Sequence, residues 1–274
     1  MKKILFAFIT TLHKGVLIYL VAFCTLANDV IKIDFRQRPP DLFKEEGIIQ
    51  GPIVDLTNTL LDKYNLSVKW AEAPWPRTLH DSESGKVDLL LRVSMNKHRS
   101  EFLMPILIGY EEREIHFLVS NQLAGKISKM SEIKNLRLGL LRHSFYSEKV
   151  ETLSLNNNVV YTNEMSKLLQ LLDRDRVDVV PVYGEYYNDL ERLHNHKIIE
   201  ASFIEKFTHA RYLAIPKESF AVKYYHQMNC DMYHLRTNGT VTKLYENYGA
   251  MPYLQLLDSK ESLLQKESCI ATNL

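Results

Sequence analysis

Arg92 is the residue that chemistry must account for first, because it stands in Val87 to Val93, a run that is otherwise mostly aliphatic. An isolated charge taken out of water is expensive, so a guanidinium near the end of a buried strand has to meet an anion. Asp88 or a bound ligand could supply it. Trp75 lies between Pro74 and Pro76, and paired prolines fix a loop or a helix start, where a partly exposed indole can form the wall of a cleft; packing in the core is the alternative. Arg77 follows it and either points into that cleft or covers the helix surface. These are recognition groups. The chain shows no matched acid, base and nucleophile of the kind turnover needs, and it has no G-x-S-x-G elbow. Its ten histidines are scattered, His194-x-His196 has no third ligand nearby, and no C-x-x-C spacing occurs, so neither a metal nor another cofactor is expected.

The balance of the whole sequence excludes further classes. Lys and Arg number 34 against 33 Asp and Glu, for a net charge of +1, and the two signs are mixed along the chain. No basic field collects nucleic acid. Hydrophobic residues make up 46%, enough for one or two ordinary cores. Met1-Lys2-Lys3 followed by the apolar run GVLIYLVAFCTL at 15 to 26 reads as a secretory signal, since a membrane span needs about 20 apolar residues. Thr25-Leu26-Ala27 suits cleavage after Ala27, which makes 1–27 a signal peptide and the mature protein periplasmic. Of the three cysteines, Cys230 and Cys269 survive that cleavage; an oxidising compartment permits them to pair, and two separate thiols are the alternative.

Short apolar strands alternate with amphipathic helices, the signature of an α/β architecture. Asp29 to Phe35 alternates as a first strand, Arg38-Pro39-Pro40 makes a loop, and Gly51 opens a helix with Ile53, Leu56, Leu60 and Leu61 on one face. Leu66 to Trp70 is the next strand, 75 to 84 a helix ended by Gly85, and Val87 to Val93 a buried strand. Glu114 to Ser120 reads as a strand before a polar stretch. A second unit holds strands at Leu136 to Leu141, Asn158 to Tyr161 and Val177 to Val182, with a helix at Met165 to Asp173. Arg211 to Ile215 forms another strand before a mainly helical tail.

Several of these segments, in order, resemble family 3 extracellular solute-binding proteins, the polar amino-acid binders of ABC importers. The resemblance rests on Pro39-Pro40 before Gly51-Pro52-Ile53-Val54-Asp55-Leu56, on Trp75-Pro76-Arg77-Thr78-Leu79 and on Ser84-Gly85-Lys86-Val87-Asp88. It continues through Ser94-Met95-Asn96-Lys97-His98-Arg99, Phe102-Leu103-Met104-Pro105, Leu138-Gly139-Leu140, Asp175-Arg176-Val177-Asp178 and Asn238-Gly239-Thr240. Each piece alone is an ordinary turn or strand, and their order and spacing carry the match across nearly the whole mature chain.

The resemblance implies a type II periplasmic-binding-protein-like fold, two α/β lobes joined by two crossover strands. Lobe 1 would comprise about 28–118 plus 212–274, and lobe 2 about 119–211, with Glu114 to Ser120 and Arg211 to Ile215 as hinge strands. A small molecule would be held between the lobes and close them. Arg99 matches the family arginine that receives an α-carboxylate, for which a planar guanidinium fork is suited; a surface pair with Glu101 is the alternative. Ser94 falls where the family supplies a hydroxyl. His143 and Ser144 stand where a Gly-Thr pair usually opens a helix, so the helix-start anion site is kept only in part. Tyr183 stands in place of the aspartate that pairs with an α-ammonium, unless Glu185 substitutes for it.

The expected function is therefore capture of a carboxylate-bearing solute by a monomer, for an ABC permease and without enzymatic turnover. A cyclohexadienyl dehydratase-like enzyme, with Glu185 or His143 as acid, and a free ligand-sensing protein are the competing classes.

Overall fold

The computed structural model describes residues 29–123, 125–184, 187 and 198–270; the expected signal peptide, Glu185 and the pair His194 and His196 lie outside them. Strand β1 (Val30–Phe35) buries Ile31, Ile33 and Phe35 on one side, as its alternating sequence requires. A loop with a cis Pro39–Pro40 bond follows, then a hairpin of β2 (Phe43–Glu45) and β3 (Ile48–Gln50) within what the sequence presents as loop. Gly51, at φ 130°, is required there, because a Cβ would stand 2.3 Å from the Asp41 carbonyl oxygen. Helix α1 (Pro52–Leu61) turns Ile53, Leu56 and Leu60 inward and leads to β4 (Ser67–Glu72), which pairs in parallel with β1 from Val30–Ser67 to Phe35–Glu72.

Helix α2 (Trp75–Glu83) and strand β5 (Leu90–Val93) come next. The strand starts three residues later than its apolar run suggests. Residues 86 to 88 are bent, and the Asp88 carboxylate accepts from the Lys32 amide at 2.9 Å and the Ser219 hydroxyl at 2.7 Å. Asp88 is thus committed to the backbone of β1. Helix α3 (Lys97–Phe102) is capped by Asn96, whose side chain accepts from the Arg99 amide.

Two strands dominate the molecule. Strand β6 (Leu103–Ser120) and strand β10 (Ile198–Pro216) run antiparallel along nearly their full lengths, from Leu103–Pro216 to Ser120–Ile198. The sequence signals only their apolar ends, since the middle of each is charged. The sheet is completed by β7 (Leu138–Leu141), β8 (Val159–Thr162) and β9 (Val179–Tyr183), in the order β5-β10-β6-β9-β7-β8. Helices α4 (Glu148–Asn156) and α5 (Met165–Asp173) connect the parallel strands, and α6 (Tyr225–Thr237), α7 (Thr240–Asn247) and α8 (Lys260–Ile270) form the tail. A disulfide between Cys230 and Cys269 fastens α8 to α6.

The apolar core is divided. One large cluster draws on Ile31, Ile53, Leu56, Ile106, Ile108, Leu213 and Met232. Two others pack on opposite faces of the far half of the sheet, one around Ile115, Phe117 and Val119 and one around Leu118, Leu168 and Val180. Along β6 the change falls between Tyr110 and Ile115, and Glu111 and Arg113 lie in that interval. The long ribbon crosses from one core to the others through a charged belt.

Candidate functional site

The belt opens on two adjoining cavities. The smaller, about 90 Å³, is lined by eleven residues, of which six are arginines: Arg36 and Arg38 after β1, Arg92 on β5, Arg99 on α3, Arg113 on β6 and Arg211 on β10. Ser144, Phe145 and Tyr183 close its other side. The larger, about 560 Å³, lies between α2 and α3 on one hand and β7, α4 and Tyr161 on the other. Arg99 and Ser144 line both.

Glu111 organises the arginines. Its carboxylate accepts from Arg92 at 2.9 Å, from Arg113 at 2.9 Å and from Arg211 through a short contact. Burial opposes its charge, yet Arg211, Arg92 and Arg113 hold the Glu111 carboxyl well below the usual carboxylate range. Arg92, its side chain 9% exposed, also reaches Asp41 at 2.5 Å and donates to the Tyr253 hydroxyl at 2.7 Å. Its anion is therefore Asp41 and Glu111 rather than Asp88, which the amide of Lys32 and Ser219 have already taken. The Arg92 backbone has φ 54°, an uncommon value for a residue other than glycine.

Arg99 differs from the others. It is 4% exposed, and among the described residues no carboxylate pairs with it. Glu101 is not its partner; that side chain faces His98 at 3.6 Å. The guanidinium donates instead to two backbone carbonyls, those of Ser94 and of His143, the latter at 2.8 Å, and lies 5.3 Å from the centre of the Trp75 ring. Burial pushes its pKa down to about 10, the mark of a cation without a full counter-charge. Trp75, half-buried, donates from its indole to the same His143 carbonyl at 3.1 Å, while Arg36 lies 4.7 Å over its ring.

The sequence-derived residues thus fall into two groups. Arg92, Ser94, Trp75, Arg99, Ser144 and Tyr183 meet at the smaller cavity, with His143 bordering the larger one. Ser94 is buried, and its hydroxyl accepts from Arg211. Arg77 stays outside: it is exposed and pairs with Asp81 at 3.3 Å, covering the surface of α2. Phe35, at the end of β1, is core.

The turn at His143 and Ser144 is not a helix start. Helix α4 begins four residues on at Glu148, where the Ser147 side chain caps the Val150 amide, and Glu148 and Glu151 occupy its first turn. Acidic side chains there already complement the positive helix end, so the anion site implied at the helix start is absent from this turn. His143 nevertheless keeps the left-handed backbone expected of glycine, at φ 59°. Tyr183 stacks on Tyr146 at 5.5 Å between ring centres and carries the Arg113 guanidinium 3.8 Å over its own ring. An arginine thus covers the residue that replaces the expected aspartate.

Arg36, Arg113, Arg211 and Glu111 were not among the residues that sequence alone singled out. The available signal was the spacing of Glu111 and Arg113, alternate positions of one strand that therefore share a face.

Behind the site, His209 stacks on Phe145 at 4.7 Å, and its Nε2 has no hydrogen-bond partner among the described residues. Burial first, then the neighbouring Arg211, pushes its pKa down to about 3.

The model of the bacterial extracellular solute-binding proteins, family 3, matches residues 31–251. No curated protein matches the sequence. Among solved structures, the chain is similar to an amino-acid ABC transporter substrate-binding protein from Streptococcus pneumoniae bound to L-arginine, with 18% identity, 83% of this chain and 96% of that one covered, and a TM-score of 0.56. It is similar to a histidine kinase sensor domain with likeness to periplasmic binding proteins, at 17% identity, 82% and 98% coverage and a TM-score of 0.59. A third is an ancestral amino-acid-binding protein described as a precursor of cyclohexadienyl dehydratase, at 15% identity, 80% and 94% coverage and a TM-score of 0.56. At these identities the structures establish the fold alone.

Proposed function

The chain belongs to the bacterial extracellular solute-binding proteins, family 3, with the type II periplasmic-binding fold, and from that premise we propose that it captures a small carboxylate-bearing solute for delivery to an ABC permease. The solute enters between a lobe of about 28–118 plus 212–274 and a lobe of about 119–211, and the lobes close on it. One observation carries the reading: Arg99 is buried at the wall shared by two cavities, and among the described residues no carboxylate pairs with it. A ligand carboxylate would complete its charge through two parallel hydrogen bonds. Export through the signal at 1–27 would place the protein in the periplasm, as a monomer.

The test is a thermal-shift screen of the mature protein against amino acids, dicarboxylates, short peptides and aromatic acids. A ligand that binds the folded state alone raises Tm by mass action, by about 2.7 kcal/mol of stability at a hundredfold excess over Kd. A carboxylate is expected to produce the shift and Arg99→Ala to abolish it; a shift that survives Arg99→Ala removes Arg99 from the site.

Two other readings share the fold. The sensor domain among its structural neighbours makes a free sensing role the natural second outcome, decided by whether the bound protein engages a permease or a receptor. Dehydratase chemistry would need an acid in the cleft; Glu151, raised above the usual carboxylate range by burial, lines the larger cavity. Turnover of a cyclic hydroxy acid, rather than release of unchanged ligand, would favour it.

A further inference from the structure

Resting on that reading, the larger cavity carries information about the other end of the ligand. Its volume of about 560 Å³ is that of an ordinary small-molecule site. Arg99, on α3, stands in one wall, and Glu151, on α4, stands in the other. Neither charge is fully met inside the protein. Arg99 donates to backbone carbonyls alone, and among the described residues no cation lies within ion-pair distance of the half-buried Glu151 carboxylate. Burial raises the Glu151 carboxyl above the usual range, against the lowering by Arg99 across the cavity and by the Tyr146 amide. The other acid in the described lining, Glu83, is exposed and faces His98 at 3.9 Å, so solvent and a neighbour already serve it. Tyr183, which stands in place of the expected aspartate, lines the smaller cavity and not this one.

We infer that the solute is an aminocarboxylate lying across the larger cavity, its carboxylate on Arg99 and its ammonium on Glu151, which takes the role that Tyr183 does not fill. An ammonium leaving water needs an anion that can accept its hydrogen bonds, and Glu151 is the acid of this lining that is both half-buried and uncommitted. The apolar part of the solute would lie along Leu79, Phe102 and Leu140. Glu151 thereby sets specificity in two directions. It favours a ligand that carries an ammonium, and by like charge it rejects a second carboxylate at that end.

The experiment is calorimetric titration of the mature protein with four five-carbon acids. L-Norvaline carries its ammonium beside the carboxylate and 5-aminovalerate carries it at the far end; valerate has none, and glutarate has a second carboxylate instead. The better of the two amino compounds is expected to bind at least about tenfold more tightly than valerate or glutarate. Glu151→Gln should reduce that preference over valerate to about one, and Glu151→Asp should keep part of it. Valerate binding as tightly as both amino compounds overturns the inference, as does a preference that survives Glu151→Gln. A Glu151→Gln variant that weakens valerate and the amino compound alike gives Glu151 a structural role and overturns it too. Each of these leaves the carboxylate reading standing, whereas binding of no carboxylate at all overturns both.

Discussion

Arg99 and His209 illustrate what burial does to two cations in one belt. Arg99 remains charged because its pKa, though lowered to about 10, is still far above neutral. His209 does not. Its value of about 3, against an ordinary 6.5, means that the folded protein holds a neutral ring where the unfolded chain would take up a proton. The sign follows from linkage: stability from this residue is complete above about pH 6.5 and is lost as pH falls toward 3, because protons bind the unfolded state preferentially. At about pH 5 the loss is roughly 1–2 kcal/mol, after a discount for the exposed part of the ring. His209→Phe should therefore show a smaller fall in Tm than the unaltered protein between about pH 7 and pH 5, measured by thermal melts; equal falls would mean the ring titrates normally. Other cations of the belt are hidden from sequence reading for one reason. Arg36, Arg113 and Arg211 are far apart in the chain, and only tertiary packing brings them together with Arg92 and Arg99.

At the level of elements, apolar periodicity made most of the order legible. Helix α5 was expected at Met165 to Asp173 and occupies those residues, and the inward faces of β1 and α1 follow their alternation and helical spacing. The long ribbon was legible only at its ends. Between Gly109 and Glu114, and between Thr208 and Arg211, charged and polar residues interrupt the apolar signal although pairing with the neighbouring strand continues. The backbone hydrogen bonds there are supplied by topology, which a local reading does not see. Gly109 is the tightest point of that stretch. At φ 142° it lies under the C-terminal segment, where a Cβ would be 2.6 Å from that of Tyr253. Gly109→Ala is expected to cost about 1–3 kcal/mol through overpacking and backbone strain, measured as a lower denaturant midpoint; a neutral result would show that the 253 to 255 segment yields easily.

Across the whole molecule, the two core groups and the charged belt between them were not separable by composition, since acidic and basic residues are mixed throughout. The resemblance carried that part of the reading, and family membership now stands on residues 31–251. The cysteines could be left open from sequence and are joined in the structure. Their bond closes a loop with a sequence separation of 39, for which chain entropy gives about 2–4 kcal/mol. The double variant Cys230→Ser with Cys269→Ser should unfold at lower temperature by that amount while retaining the ligand-induced shift, because α6 and α8 lie away from the arginine cavity. Loss of the shift along with stability would mean that the tail supports the cleft directly.

The carbonyl of His143 has one more consequence. With Trp75 and Arg99 both donating to it, the protein supplies its own acceptor to the guanidinium proposed to receive the ligand. The solute therefore competes with a tethered rival at high effective concentration. Measured affinity would be the intrinsic one multiplied by the fraction of molecules in which the carbonyl has let go, so the turn at 142 to 144 raises the solute concentration at which the cleft is half filled.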